Sequence, residues 1–322
     1  MKIGVIGCGA LGSYYGSKLC RDGQDVRFLL RSDYEIVRRK GVRIRSPEGD
    51  FHVNPACALQ SEEIGVCDLV LIGLKTTAND QLSRLVPPLV GAKSAVMTLQ
   101  NGLGNEELLA GLFGAERVLG GLCFVCLNRL EPGLIHHLAH GKIVMGEHQR
   151  WPEPRTHDIA SLFRHAGVPC KVTDNLERAH WEKLVWNIPF NGLGVAAAAG
   201  YDAPIAQPST FNSQLAVGPC LTTDRLLSDP RWENLVRELM LEVIAAANAL
   251  GLKISEALAE KQISNTRAMG AYKASTLVDY ERGQPLELES LFLEPLRQAR
   301  RVGVATPRLE ALCEVLKRLN PV

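Results

Sequence analysis

The sequence predicts an α/β N-terminal half followed by an all-α C-terminal half, and three observations point there. A strand, a glycine turn and a helix open the chain within residues 2–23. Strand-type and helix-type stretches then alternate as far as about residue 172. After Thr173 strand signals become few and helical periodicity takes over. A chain of 322 residues is long enough for two domains and a sizeable core. The change of character sets the expected domains at 1–172 and 173–322.

Lys2 to Ile6 is a short apolar run of strand type. Gly7-Cys8-Gly9-Ala10-Leu11-Gly12 follows at once, giving Gly-x-Gly-x-x-Gly. Leu11, Tyr14, Tyr15 and Leu19 then recur at helical spacing until Gly23. A lone glycine motif would fit an ordinary βα turn as well. The strand before it and the helix after it are what a dinucleotide needs. The first glycine makes the tight turn, the second admits a pyrophosphate against bare backbone, and the third lets helix and strand pack closely. The phosphates sit on the helix N-terminus, where N–H groups and the dipole favour negative charge. The first half therefore reads as a Rossmann-type domain, with Gly7, Gly9, Ala10, Leu11 and Gly12 at the cofactor.

The second strand, Asp25 to Leu30, puts Arg31 at its carboxyl end. An enzyme that uses NAD usually has a carboxylate there for the ribose 2′-OH. Here no carboxylate comes before Asp33. A guanidinium welcomes a 2′-phosphate, which predicts NADP(H), although an idle exposed arginine fits the same position. Val42 to Arg45 and Phe51 to Ala56 flank Ser46-Pro47-Glu48-Gly49-Asp50, a hairpin signal. Leu69 to Leu74 is a continuous apolar run, as in a central parallel strand buried on both faces. Lys75 follows it and is placed to reach the cofactor. Ala95 to Leu99 repeats the pattern and ends at Gln100-Asn101-Gly102, where Asn101 is either a cofactor residue or a turn asparagine. Asn105 to Phe113 reads as helix, Val118 to Leu127 as strand, Gly133 to Met145 as strand and turn, His157 to Ala166 as helix, and Pro169 to Val172 as the last strand. In the second half Asp174 is a plausible N-cap for the helix carrying Trp181 to Ile188. Arg231 to Leu250, Glu256 to Arg267, Glu289 to Val302 and Pro307 to Leu319 also read as helices, and Tyr201 to Pro219 as a long loop.

The composition, 46% hydrophobic and 22% charged, is that of a soluble globular chain. A formal net charge of +1 gives no global field toward nucleic acid or an anionic membrane. The first strand starts at residue 2, which leaves no room for a targeting peptide, and a cytoplasmic location is expected. Nine cysteines without framework spacing fit a reducing compartment. Cys123 and Cys126 form a single CxxC on a strand, where positions i and i+3 face opposite sides. His136, His137 and His140 read as surface or strand histidines. No metal site is expected.

Lys183, Asn187 and Asn191 are spaced four apart, so on one helix they form a polar stripe. Trp181, Leu184, Val185 and Ile188 wall it with apolar groups. One ammonium and two amides suit a small oxyacid, although an exposed polar face has the same spacing. Pro189 would disturb the helix here and free backbone groups. Ser275, Asp279, Glu281, Glu287 and Glu289 form a further polar group that composition alone assigns mostly to the surface.

Taken together, these segments carry a family resemblance. Gly-Cys-Gly-Ala-Leu-Gly at 7–12, Leu-Lys at 74–75, Gln-Asn-Gly at 100–102 and Trp-Glu-Lys-Leu-Val-Trp-Asn-Ile-Pro-Phe-Asn at 181–191 occur in order. Tyr-Lys-Ala-Ser-Thr-Leu-Val-Asp-Tyr-Glu-Arg-Gly at 272–283 follows, with Glu287 and Glu289 just after. The chain resembles the ketopantoate reductases (2-dehydropantoate 2-reductases) over nearly its whole length. The resemblance implies NADPH-dependent reduction of 2-dehydropantoate to (R)-pantoate, a step toward pantothenate and coenzyme A. Lys183 then matches the catalytic lysine and Glu287 the carboxylate that engages substrate. Asn187, Asn191 and Ser275 match substrate-binding residues, Arg31 and Lys75 the 2′-phosphate ligands, and Asn101 the asparagine near the nicotinamide. Cys123 to Asn128 lacks a threonine-rich segment found in some members, and Tyr201 to Pro219 looks like an insertion.

The expected chemistry is hydride delivery to a ketone, with Lys183 stabilising charge on the carbonyl oxygen and supplying its proton. Burial between the domains should lower the lysine pKa. Two rivals share parts of this reading: a paralogue acting on another small 2-keto acid, and a non-catalytic NADP(H)-binding sensor. The expected partner is a small keto acid, with neither nucleic acid nor membrane; a homodimer is left open.

Overall fold

The structure is a computed structural model that describes residues 1–205 and 218–320. Most of the Tyr201–Pro219 stretch, residues 206–217, therefore lies outside the described residues. The chain divides into two compact units, Met1–Leu176 and Glu177–Val322.

The first unit is built on ten strands: β1 (Lys2–Ile6), β2 (Asp25–Leu29), β3 (Val42–Arg45), β4 (Phe51–Val53), β5 (Ala56–Ala58), β6 (Cys67–Ile72), β7 (Val90–Thr98), β8 (Val118–Glu131), β9 (Leu134–Glu147) and β10 (Cys170–Val172). They form one mixed sheet in the order β4-β3-β9-β8-β7-β6-β1-β2-β5, with β10 paired to β9. From β5 to β8 all pairs are parallel, while β8–β9 and β3–β4 are antiparallel. The chain leaves β1 for β2 on one side and returns to β6 on the other, so the strand order reverses at β1. Ligands of such sheets bind outside the carboxyl ends at that point.

The apolar runs are explained by burial on both faces. Leu69 and Leu71 of β6 belong to one core cluster, with Tyr15, Leu19 and Phe28; Val70 and Ile72 belong to another, with Leu82, Leu89 and Leu109. Alternate residues of one strand thus feed two cores.

One expectation is corrected here. Phe51 to Ala56 is not one strand: β4 ends at Val53, and Ala56–Ala58 pairs instead with β2. Pro55 lies in the break and has no N–H to give a ladder. Both Cys123 and Cys126 are buried, at 8% exposure each. A register shift between Phe124 and Val125 resets the alternation there. His137 is a strand histidine, as read: it lies in β9, buried at 1% exposure, with its Nδ1 2.9 Å from Ser46 Oγ and its Nε2 3.1 Å from the carbonyl of His140. Among the described residues no group of three or more His, Cys, Asp or Glu is arranged to hold a metal.

The second unit is helical. Its long amphipathic helix, Pro230–Ala249, starts with Pro at the first position and Asp229 accepting from the N–H of Arg231 at 2.9 Å. Trp232, Leu235, Val236, Leu239, Met240, Val243 and Ile244 make its buried stripe. The Thr223–Ser228, Ala257–Arg267, Glu294–Arg301 and Pro307–Leu319 helices pack on it. Glu242 accepts from the N–H groups of Arg308 and Leu309, both at 2.9 Å, which caps the Pro307–Leu319 helix from outside.

The Leu176–Ala196 helix runs on through Pro189. From Asn187 to Ala198 every residue is buried, so packing offsets the one hydrogen bond a proline removes. The helix begins at Leu176, one residue later than an Asp174 cap would give. Glu289 to Val302 is not one regular helix: Glu289–Leu293 is a π turn that runs into Glu294–Arg301. Among the described residues no helix is long and apolar enough to cross a membrane.

Candidate functional site

In the first unit the glycines show which parts of the turn are packed and which are open. Gly7 has φ +88°, and a Cβ on it would lie 2.2 Å from the N of Leu74. A Cβ on Gly12 would lie 2.3 Å from the carbonyl oxygen of Gly7. Both are therefore held by contact between the turn, the helix and the end of β6. A Cβ on Gly9 would meet nothing within 4 Å. Gly9 leads straight into the Ala10–Arg21 helix, whose first turn exposes N–H groups before the bond from Ser13 N to Gly9 O. Open space beside a bare helix N-terminus is what a pyrophosphate requires, so the turn fits a dinucleotide.

The other predicted cofactor residues line up along the same edge. Arg31 follows β2, the glycine turn follows β1, Lys75 follows β6, and Asn101 follows β7. These four strands are neighbours in the order β2-β1-β6-β7. At ~4.8 Å per strand the row spans about 14 Å. Arg31 and Lys75 are exposed, and Asn101 is half-buried. The thiol of Cys8 is held well above its ordinary value, by burial first and then by nearby Cys57 and Asp33.

A chain of side-chain amides behind this edge was not legible in the sequence. Thr98 Oγ1 donates to Gln100 Oε1 at 3.1 Å, and Gln100 Nε2 donates to Asn79 Oδ1 at 2.8 Å. Asn79 Nδ2 donates to Asn105 Oδ1 at 3.0 Å, and Asn105 Nδ2 donates to the carbonyl of Asn101 at 3.1 Å. The last acceptor is a backbone oxygen, which fixes the direction of the whole chain. It ties the Thr76–Gln81 turn after Lys75 to the Asn101 turn.

In the second unit Lys183, Asn187 and Asn191 share the Leu176–Ala196 helix. Lys183 is half-buried, while Asn187 and Asn191 are 7% and 2% exposed. Asn191 Oδ1 accepts from the backbone N–H of Thr276 at 3.0 Å and from Ser275 Oγ at 3.2 Å. The structure thus joins two of the predicted substrate residues, Asn191 and Ser275. A backbone N–H can only donate, so the oxygen of Asn191 is committed and its amide nitrogen is left to donate to a ligand. Glu287 corrects the surface assignment: it is 4% exposed, and its carbonyl accepts from the N–H of Leu291. Ser275 is half-buried, whereas Glu281 and Glu289 are exposed.

Comparison with known proteins agrees with this layout. A family model described as ketopantoate reductase PanE/ApbA matches residues 3–150, and its C-terminal counterpart matches residues 205–320. A 2-dehydropantoate 2-reductase of Nostoc sp. is 37% identical over 325 residues, covering 99% of this chain and 95% of that protein. The crystal structure of 2-dehydropantoate 2-reductase from Geobacter metallireducens matches with 46% identity and a TM-score of 0.88, over 98% of this chain and 99% of that one. The corresponding structure from Methylococcus capsulatus matches with 34% identity and a TM-score of 0.85, over 98% and 96%. The chain belongs to the ketopantoate reductase family and is an oxidoreductase acting on a CH–OH group.

Proposed function

We propose that this chain reduces 2-dehydropantoate to (R)-pantoate with NADPH, a step toward pantothenate and coenzyme A. The observation that carries the reading is the row of Arg31, glycine turn, Lys75 and Asn101 along four adjacent strand ends. Arg31 and Lys75 would hold the 2′-phosphate, Gly7, Gly9, Ala10, Leu11 and Gly12 the pyrophosphate, and Asn101 the nicotinamide end.

NADPH supplies the hydride that adds to the carbonyl carbon. As the C=O π bond opens, charge builds on the oxygen, and the Lys183 ammonium stabilises it and gives it a proton. Lysine is then reprotonated from solvent. The amide nitrogen of Asn191 would donate to an oxygen of the keto acid, with Ser275 and Thr276 fixing that amide's orientation. Asn187 and Glu287 would hold the rest of the substrate. A carboxylate as buried as Glu287 must engage polar partners, because an isolated buried charge is costly.

The test is NADPH oxidation, followed by its near-ultraviolet absorbance, with ketopantoate beside other branched 2-keto acids. Preferred turnover of ketopantoate supports the proposal. Preferred turnover of another acid reassigns the substrate, and tight NADPH binding without turnover of any acid leaves a nucleotide-binding sensor.

A further inference from the structure

Asp33 is the first carboxylate after β2, where a 2′-OH reader would stand. It is 5% exposed and lies just ahead of the Tyr34–Lys40 helix, and its Oδ1 accepts from Ser32 Oγ at 3.1 Å. Its Oδ2 pairs with Arg129 Nη1 at 3.0 Å. Arg129 is on β8, far away in the sequence, and its side chain is 41% exposed. Both oxygens of the carboxylate are therefore in use, and its charge is balanced. Among the described residues Arg31, two positions earlier, has no ion-pair partner.

We propose that the Arg129–Asp33 pair sets coenzyme preference by masking the one acidic group at the end of β2. A bare carboxylate there would accept a ribose 2′-OH and repel a 2′-phosphate. Held by Arg129 and Ser32 it does neither, and Arg31 faces the phosphate without competition. Arg129 is thus a specificity-determining residue that acts through Asp33. The inference rests on the reading that Arg31 receives a 2′-phosphate.

The test is a charge cycle on the full chain, with dissociation constants for NADPH and NADH read from cofactor fluorescence. Arg129→Gln leaves the site one charge more negative and should weaken NADPH by about tenfold while leaving NADH binding unchanged or tighter. Asp33→Asn keeps an acceptor for Arg129 but removes the negative charge, so the preference for NADPH should hold or rise by several-fold. The double variant should return close to the wild-type ratio. Added salt should shrink the Arg129→Gln effect. If Arg129→Gln does not fold, Arg129→Met and Arg129→Lys take its place, the first expected to lose NADPH preference and the second to keep it. An unchanged ratio on loss of the Arg129 charge, or an equal loss of both coenzymes there, overturns the proposal, as does a fall in NADPH preference in Asp33→Asn. Arg31→Ala separates the two layers. If that change spares NADPH binding, the 2′-phosphate reading itself fails. If it abolishes the preference while the charge cycle is flat, only the masking role fails.

Discussion

Two glycines of one turn should fail in opposite ways when each is given a methyl group. Gly12→Ala places a Cβ 2.3 Å from the carbonyl oxygen of Gly7 and 3.2 Å from Val5 Cγ1. The first neighbour is backbone and cannot swing aside, so helix and strand must separate. Overpacking of this kind costs about 1–3 kcal/mol, or roughly 2–4 °C of melting temperature per kcal/mol in a unit of this size. Gly9→Ala meets nothing within 4 Å, and Gly9 has φ −72° and ψ −155°, which alanine adopts freely. Its stability cost should stay within about 1 kcal/mol, the scale of an N-cap change. Under the proposed function, however, that open space takes the pyrophosphate. The same 1–3 kcal/mol of crowding, now against pyrophosphate, is about 5- to 150-fold in Kd. The assay is thermal unfolding with and without NADPH, alongside fluorescence titration. In the wild type, NADPH at ~100 times Kd should add about 2.7 kcal/mol of stability. Gly9→Ala should keep the ligand-free melt and lose most of that gain, and Gly12→Ala should lose the melt itself. Wild-type NADPH affinity in Gly9→Ala would refute the account of the turn, as would an unchanged melt in Gly12→Ala.

Other perturbations separate chemistry from scaffold. Lys183→Ala should lower kcat by roughly 10²–10⁴-fold while leaving NADPH binding near wild type; near-normal steady-state turnover would remove this lysine from the reaction. Glu287→Ala should raise KM for the keto acid, with a smaller effect on NADPH affinity, read by the same kinetics. Arg155→Ala strands Glu147, whose side chain is 0% exposed and accepts from Arg155 Nε at 3.1 Å and from Thr156 Oγ1. Because Arg155 is 30% exposed, the loss should lie toward the lower end of the ~3–5 kcal/mol typical of a broken buried pair, measured as a drop in urea midpoint. Burial pushes the thiol of Cys170 from 9.0 up to about 12, and that of Cys313 likewise to about 12. Above 9.0 the unfolded chain releases protons that the folded chain retains, so stability falls as pH rises from about 9 toward 12, by up to ~1.4 kcal/mol per pH unit for each thiol. Cys313→Ala should flatten that fall in urea midpoints taken across the range, and an identical slope would count against burial as its source.

What could be read from the sequence was local. The glycine turn announces itself because its strand, its three glycines and its helix are contiguous. The polar stripe of Lys183, Asn187 and Asn191 needs only the helical repeat. The features that escaped depend on distant partners. Glu287 sits between Leu286 and Leu288, but a glutamate is ordinarily exposed, so its burial was not expected. The amide chain through Asn79, Gln100 and Asn105 joins two loops that meet only because β6 and β7 are neighbours. The pairing of Asp33 with Arg129 depends on where the end of β8 comes to lie. That the helix continues through Pro189 has a related reason: proline's local cost is real, but a stretch buried from Asn187 to Ala198 is held by packing more than by its own hydrogen bonds.

The same distinction explains how the polar residues divide their work. In the first unit the amides of Asn79, Gln100 and Asn105 spend their hydrogen bonds on one another and on the Asn101 carbonyl. Their contribution is position: they hold the Asn101 turn at a fixed distance from the turn that follows Lys75. Arg31 and Lys75 are both exposed, which spares an ammonium or guanidinium the cost of burial. In the second unit Asn191 does both jobs at once. Its oxygen is fixed by Thr276 and Ser275, and that fixation leaves its nitrogen as a donor of set direction. A donor held in advance loses little freedom when an acceptor oxygen arrives, so under the proposed function Asn191 would orient a keto acid at small entropic cost.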